Sequence, residues 1–227
     1  MRVYKYYSAK WAHEAILKRR VKVSTIGDLN DLFEFRAIDA RDQVSRAKLE
    51  RWRGNYFSNK GLVSFCKNRK NPVIWSHYAC GYRGICLGFD VAKEELCTVK
   101  YRAGRAPMSE AEVLEAVRGD TATEADIRLT TKFAHWSYEA EERVFCQLDD
   151  PKIIQDKGMY FLPFDYGFNL REVILGPKYQ PVTDATLKEK LEAAVAEMVP
   201  CTVRSTRPAF RSFNVVFQQN KKLSKEI

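Results

Sequence analysis

The sequence predicts a single α+β domain at residues 1–219, with a mixed, mainly antiparallel sheet flanked by helices, and a polar C-terminal tail at 220–227. Apolar strand-type runs alternate with helical segments and show no internal repeat. Short strand-type runs follow one another in the last third of the chain. No linker rich in Gly, Ser and Pro divides the 227 residues, whose 45% apolar content suffices for one large core.

The first half predicts a strand, a helix and a second strand, followed by mixed elements. RVYKYY at 2–7 has strand character, Ser8 is a candidate N-cap, and a helical pattern over 9–20 leads into a strand at 21–25. The next elements are predicted as a turn-rich loop, a charged helix, a strand, a short helix with Pro72 in its first turn, and a strand, at 27–35, 39–53, 61–66, 72–79 and 82–90.

The second half begins with polar, helical sequence and ends in strands. Residues 92–134 are predicted to be mainly helical, with helices that start at Ser109 and Thr123, each followed by an acid. An amphipathic helix is predicted at 184–198, and the tail at 220–227 is expected to fray. The later strands are predicted at 142–148, 159–164, 171–176, 200–207 and 212–219.

The chain is basic, with 38 Lys and Arg against 29 Asp and Glu and a net charge of +9. This excess favours a polyanionic partner. Segments 18–22, 65–72 and 204–211 mix cations with aromatic or loop residues, as contacts of DNA or RNA phosphates do. The alternative is solvated surface charge. Because no recognition helix or paired aromatic strands are visible, any nucleic-acid contact is expected to be non-specific.

The six cysteines lie mostly in apolar runs and form no C-x-x-C pair. With only three histidines and no finger-type spacing, no metal site is expected. The N-terminus lacks an apolar signal core, and no stretch approaches the length of a membrane span. We therefore expect a reduced, cytoplasmic protein without membrane contact. The sequence does not indicate an oligomeric state.

Common nucleotide-binding and hydrolase motifs are missing, including the P-loop, the G-x-G-x-x-G turn and the G-x-S-x-G elbow. Other residues, spread over the first four fifths of the chain, together resemble a bacterial family known as domain of unknown function 2971. They are Tyr4-Lys5-Tyr6, Leu29-Asn30-Asp31, Phe33-Glu34, Ser64-Phe65, Trp75-Ser76-His77-Tyr78, Gly84, Gly88-Phe89, Glu139, Glu141, Arg143 and Gly176-Pro177.

A more distant resemblance concerns chemistry. The order of elements, a strand, a helix and a strand with a later acid at a strand edge, resembles the order found in the NAD-dependent ADP-ribosyltransferases, including the DNA-modifying DarT toxins. The resemblance implies an ADP-ribosyltransferase-like fold, NAD as a substrate, no metal, and a carboxylate that stabilises a ribosyl cation as nicotinamide leaves. It also implies a nucleic-acid or protein acceptor and a role as a bacterial toxin or phage-defence effector.

The segment HWSYEAEERVF supplies the candidate acids. In a strand over 142–147, Glu141 and Arg143 share one face and Glu142 takes the other, so Glu139 and Glu141 can both face a cleft at its start. We expect Glu141 to be catalytic, with Glu139 and Glu172 as alternatives. A purely structural interpretation instead pairs a glutamate with Arg143. On the catalytic interpretation, Glu141→Gln barely changes folding.

The candidate NAD-binding residues come from the first strand, the Ser-Thr pair after the second strand, the loop and the short helix. The aromatic residues suit stacking on a base or nicotinamide, and the histidine suits proton transfer or a ribose contact. Each residue type is also common in a core, a turn or a solvated surface. The residues are Tyr4, Lys5, Tyr6, Ser24, Thr25, Asn30, Trp75, His77 and Tyr78.

Two functional hypotheses follow. The first is an NAD-consuming ADP-ribosyltransferase, and the second is a non-catalytic nucleic-acid-binding module of a defence system. The first requires residues 4–6, 24–30, 75–82 and 139–142 to line one cleft, although they are far apart in the sequence.

Overall fold

An eight-stranded sheet organises the chain in the computed structural model, which describes residues 1–118 and 127–227. In spatial order its strands are β15 (Val215–Phe217), β14 (Thr202–Pro208), β13 (Asn169–Leu175), β5 (Ile85–Asp90), β1 (Arg2–Tyr7), β4 (Lys60–Cys66), β10 (Glu141–Gln147) and β6 (Cys97–Thr98). Neighbouring strands are antiparallel except for β13 and β14, which are parallel. The predicted single α+β domain with a mixed, mainly antiparallel sheet is therefore confirmed.

Seven short strands form three smaller sheets. They are β2 (Arg20–Val23), β3 (Ile38–Asp39), β7 (Lys100–Arg102), β8 (Ala106–Pro107), β9 (Thr131–Phe133), β11 (Ile154–Asp156) and β12 (Met159–Pro163). One sheet has the order β11, β12, β2, and the other two are the pairs β3–β8 and β7–β9.

The helices in the described part of the chain are α1 (Ala9–Lys18), α2 (Gln43–Tyr56), α3 (Pro72–Tyr78), α4 (Glu110–Ala116), α5 (Ile127–Thr130) and α6 (Ala185–Ala196). Side chains cap several of their N-termini, as the sequence indicated for Ser8 of α1, which accepts from the Trp11 N–H. Asp42, Asn71 and Asp184 do the same for α2, α3 and α6.

Both faces of the large sheet are covered. The main core, which contains Val3, Phe65 and Leu87, includes apolar residues of α1 and α6 on one face. On the other face α3 packs against β1, where the Trp75 and Tyr6 rings meet edge to face at 5.0 Å. A 3₁₀ helix, Ala134–Glu139, lies beside α3 and leads into β10. The sheet therefore supports the residues that lie on its α3 face.

The large sheet splits between β1 and β4. The two strands are paired only at Tyr4 and Cys66. Further along, β4 turns instead to the segment after β2, where Ser24 and Leu62 form a bridge. The Lys5 ammonium spans the gap and donates to the Ser64 carbonyl over 3.1 Å. A cleft therefore opens in the middle of the sheet, between strands that are held firmly on their other sides.

The prediction of mainly helical structure over 92–134 is wrong for most of its described part. Strands β6 to β9 lie in this region, and the helices that lie wholly within its described part are the short α4 and α5 and a 3₁₀ helix at Lys93–Glu95, although Ser109 caps α4 as predicted. Pairing of β7 with β9 ends the second predicted helix early, because a distant strand satisfies its backbone groups. The predicted start of that helix, at Thr123, lies outside the described residues.

The prediction that the C-terminal tail frays is wrong. Ile227, the last residue, is 2% exposed and belongs to the main core, and the Lys225 ammonium donates to the Pro177 carbonyl over 2.6 Å. An apolar final residue outweighs the polar composition of the segment. Among the described residues, no helix combines the length and apolarity needed to cross a membrane.

Candidate functional site

Five buried charged side chains meet beside the split in the sheet. Glu141 and Arg143, two residues apart on β10, project from the same face. Lys132 comes from β9, Glu34 from the loop before β3, and Glu139 from the end of the 3₁₀ helix. We call these five residues the charged cluster.

The charged cluster is a continuous network of ion pairs. The Arg143 guanidinium contacts Glu34 Oε1 at 2.6 Å and Glu141 Oε1 at 3.0 Å. The Lys132 ammonium contacts Glu139 Oε2 at 2.7 Å, Glu141 Oε2 at 3.3 Å and Glu34 Oε2 at 3.5 Å. Three carboxylates therefore share two cations, all of them nearly inaccessible to solvent.

The cations set the ionisation of this network. Burial alone would raise the pKa of Glu141, but the charges of Arg143 and Lys132 lower it to about 2. Burial likewise opposes a charge on Lys132, but the surrounding carboxylates raise its pKa. At Glu34 burial outweighs the attraction of Arg143 and raises the pKa. Glu141 therefore stays ionised over the physiological range, and Lys132 stays protonated.

The charged cluster borders a cleft of about 330 Å³, a volume within the range of small-molecule sites. At its edge the Tyr78 hydroxyl donates to Glu139 Oε1, and the Asn30 amide donates to the Tyr78 oxygen over 3.4 Å. The lining side chains include Tyr4, Lys5, Tyr6, Ser24, Asp28, Leu29, Asn30, Glu34, Ser64, Cys66, Tyr78, Lys132, Glu139 and Glu141.

Two further groups in the cleft have shifted ionisation. Burial lowers the pKa of Lys5 to about 8, although the Glu141 carboxylate opposes this shift, so a substantial fraction of the amine is neutral in mildly alkaline solution. Burial raises the pKa of the Cys66 thiol, which keeps it protonated and a poor nucleophile. Among the described residues, no group of three or more His, Cys, Asp or Glu side chains could hold a metal ion.

Most of the residues proposed from the sequence do line this cleft: Tyr4, Lys5, Tyr6, Ser24, Asn30, Tyr78, Glu139 and Glu141. Three do not. Trp75 is fully buried, and its indole N–H donates to the Arg69 carbonyl over 2.7 Å, so it is a core residue. The Thr25 hydroxyl donates to Asp28 and caps a turn. His77 lines a neighbouring cavity of about 430 Å³, which shares only Tyr6 and Tyr78 with the cleft.

Glu172, the third candidate acid, is also outside the site. Strand register places Glu172, Gly88, Tyr4, Cys66 and Glu141 in one row across five strands. Four strand spacings separate the two glutamates by about 19 Å. Glu172 instead pairs with the Arg2 guanidinium at 3.0 Å. The sequence predicted a strand at this position, but it could not give the place of that strand across the sheet.

Glu142 faces away from the cleft, as the strand alternation predicted. Its carboxylate accepts from the Thr98 hydroxyl at 2.8 Å and pairs with Lys67 at 2.6 Å on the opposite side of the sheet. Sequence reasoning missed Lys132 and Tyr101, whose hydroxyl accepts from the Glu141 N–H over 2.8 Å. Both lie in the region predicted to be helical, and no local pattern distinguishes them there.

Comparisons of the chain with family models, with curated proteins and with solved structures found no match. Both family resemblances drawn from the sequence therefore stay predictions.

Proposed function

We propose that the protein is an ADP-ribosyltransferase that cleaves the nicotinamide–ribose bond of NAD in the cleft and transfers ADP-ribose to a nucleic-acid or protein acceptor. The order of β1, α1 and β2, followed by acids at the start of β10, supports the proposal, because it is the order on which the sequence resemblance rests. An ADP-ribosyltransferase-like fold is part of the same proposal.

The main support for the proposal is the charge balance of the charged cluster. Three carboxylates share two cations within the cluster, which leaves an excess of one carboxylate, and Lys5, a further cation that lines the cleft, contacts the Ser64 carbonyl and no carboxylate of the cluster. In a poorly solvated site such an excess favours a ligand that develops positive charge. Bond cleavage at the anomeric carbon of NAD produces such a cation on the ribose.

Among the candidate acids, the hydrogen-bond contacts favour Glu139 as the one that contacts the ribose of NAD. Both oxygens of Glu141 accept from Arg143 or Lys132. One oxygen of Glu139 is held by Lys132, and the other accepts from the hydroxyl of Tyr78, a residue that lines both cavities. A ribose hydroxyl can replace that phenol without breaking an ion pair. Glu141 is then a positioning residue that fixes Lys132.

The proposed step needs no base in its first stage. The bond between the anomeric carbon and the ring nitrogen breaks, both electrons leave with neutral nicotinamide, and the ribose carries the positive charge next to Glu139. A lone pair of the acceptor then bonds to the anomeric carbon, and the acceptor releases its proton to solvent. Lys132 holds the carboxylate in place before the charge develops.

The size of the site suits a dinucleotide. The cleft of about 330 Å³ and the neighbouring cavity of about 430 Å³ meet at the side chains of Tyr6 and Tyr78. One half of the ligand can occupy each cavity, and these two rings offer apolar faces at the junction.

Release of nicotinamide from NAD tests the proposal. We expect Glu139→Gln to slow release by at least about 100-fold, because it removes the charge nearest the ribose at constant volume. Glu142→Gln is the matched control on the opposite face of β10 and should keep wild-type activity. Unchanged activity of Glu139→Gln would refute the assignment of this residue. Lack of both NAD binding in calorimetry and nicotinamide release by the wild-type protein would refute the function.

A further inference from the structure

Two basic segments that are far apart in the sequence form one surface in the fold. The hairpin of β14 and β15 ends in an exposed tip at 209–214, and the Val215 N–H donates to the Lys70 carbonyl over 2.8 Å. This bond joins the hairpin to the loop 67–71. We call the tip, the hairpin and this loop the hairpin surface.

The hairpin surface is rich in cations that lack acidic partners. The hairpin at 202–217 contains three Arg and no Asp or Glu, and loop 67–71 adds Arg69, Lys70 and Lys67, of which Lys67 pairs with Glu142. Within the described ranges 1–118 and 127–227, Arg69, Arg204, Arg207 and Arg211 form no ion pair with a carboxylate. Their charge is therefore available to an anion from outside the molecule.

Aromatic rings are interleaved with these cations. The guanidinium carbons of Arg69 and Arg204 lie 3.7 Å and 3.3 Å from the centroid of the Phe217 ring. Both carbons cannot fit over one face at these distances, so the two cations cover opposite faces. At the tip, Phe210 and Phe213 are 88% and 96% exposed, and Arg207 stacks on Phe210 at 4.0 Å. Rings exposed to this degree bury little surface in the fold and are available to a ligand.

We infer that the hairpin surface binds single-stranded nucleic acid, with the tip phenylalanines stacking on bases and the arginines contacting phosphates. Exposed rings interleaved with unpaired cations suit an unpaired strand, since each base offers a stacking face and each phosphate a charge. Anionic lipid is the less suitable partner, because arginine and serine interrupt the two apolar side chains of the tip.

The hairpin surface is joined to elements beside the cleft. Loop 67–71 is fixed to the cleft elements by the Tyr6 hydroxyl, which donates to the Asn68 carbonyl at 3.1 Å, and by the Asn71 amide, which donates to the Tyr138 carbonyl at 3.2 Å. A strand bound at the hairpin surface therefore lies near elements that form the cleft. Binding itself does not depend on the proposed NAD chemistry.

Fluorescence anisotropy with labelled 20-nucleotide DNA and RNA of mixed sequence tests the inference. Phe210→Ala/Phe213→Ala should weaken binding at least about tenfold, because two stacking platforms are lost. Arg207→Ala/Arg211→Ala should reduce the slope of log affinity against log salt by about 1.4, because two phosphate contacts are lost. The control Lys10→Ala/Arg41→Ala removes the same charge from exposed positions elsewhere and should bind with at most a small loss.

The outcomes separate this inference from the proposed function. Glu139→Gln should bind the strands like the wild type, whatever its activity on NAD. Equal losses in the control and the hairpin variants would overturn the inference, because they would show a non-specific effect of net charge. Preference for duplex DNA, or binding to phosphatidylserine vesicles instead of either nucleic acid, would also overturn it.

Discussion

Replacement of Glu141 by glutamine tests how the charged cluster stabilises the fold. Burial of Glu141 is compensated by Arg143 and Lys132, which lower its pKa from the ordinary 4.5 to about 2. This difference corresponds to about 3 kcal/mol of folding free energy at neutral pH. The sequence alone led us to expect little change in folding, and the ion pairs reverse that expectation. The remaining carboxylates, Glu34 and Glu139, still face both cations, so the protein should fold.

The contribution of Glu141 to stability should decrease as the pH falls. A carboxylate whose pKa is lower in the folded protein contributes its full stability above its unfolded pKa, and the contribution disappears as the pH falls through the folded value. Glutamine cannot titrate. The difference in unfolding free energy between wild type and Glu141→Gln should therefore be about 3 kcal/mol at pH 7, about 2 kcal/mol at pH 3.5, and near zero at pH 2.

Urea unfolding followed by tryptophan fluorescence at pH 7, 5 and 3.5 measures these differences. Glu142→Gln is the control, because its cation partner Lys67 is 43% exposed and can return to water. A smaller loss is expected for this variant. A loss below about 1 kcal/mol at pH 7 for Glu141→Gln, or a loss that does not change between pH 7 and pH 3.5, would refute the role given to the ion pairs.

Two further predictions concern stability. Lys132→Met leaves three buried carboxylates with one cation and should lower the unfolding free energy by about 3–5 kcal/mol at pH 7. Part of this loss should be recovered in acid, because a carboxylate takes up a proton. Urea unfolding at neutral and acidic pH measures the loss, and a loss that grows in acid would contradict the prediction. Ile227→Ala should cost about 2–4 kcal/mol in thermal unfolding, because the side chain is 2% exposed in the main core, whereas the control Leu223→Ala, 63% exposed, should cost little.

Local patterns in the sequence predicted the elements with strong periodicity. Strand alternation placed Glu141 and Glu142 on opposite faces of β10, and the cap at Ser8 fixed the start of α1. These features depend on neighbours within a few residues, which a single sequence contains. For the same reason, most strands and the helices α1, α2, α3 and α6 were predicted close to their observed positions.

Features that depend on distant pairing could not be predicted in this way. Lys132 reaches the charged cluster because β9 pairs with β7, and this pairing replaces a helix that the local pattern favoured. Glu172 has the predicted strand environment but lies on β13, which β5 separates from the cleft strand β1. Trp75 shows the same limit, since helical spacing does not reveal whether an aromatic side chain faces a core or a ligand.

The interrupted pairing of β1 and β4 has a consequence for how this site tolerates mutation. Past Tyr4 and Cys66 the edges of both strands border the cleft, and their peptide groups have the same chemistry whatever side chains they carry. Amino-acid replacement can alter Lys5 or Tyr6, but it leaves the main-chain polar groups in place as long as the outer pairings with β5 and β10 persist. Ligand recognition through these main-chain groups would be insensitive to most substitutions, and variation of the side chains would change only the selectivity of the cleft.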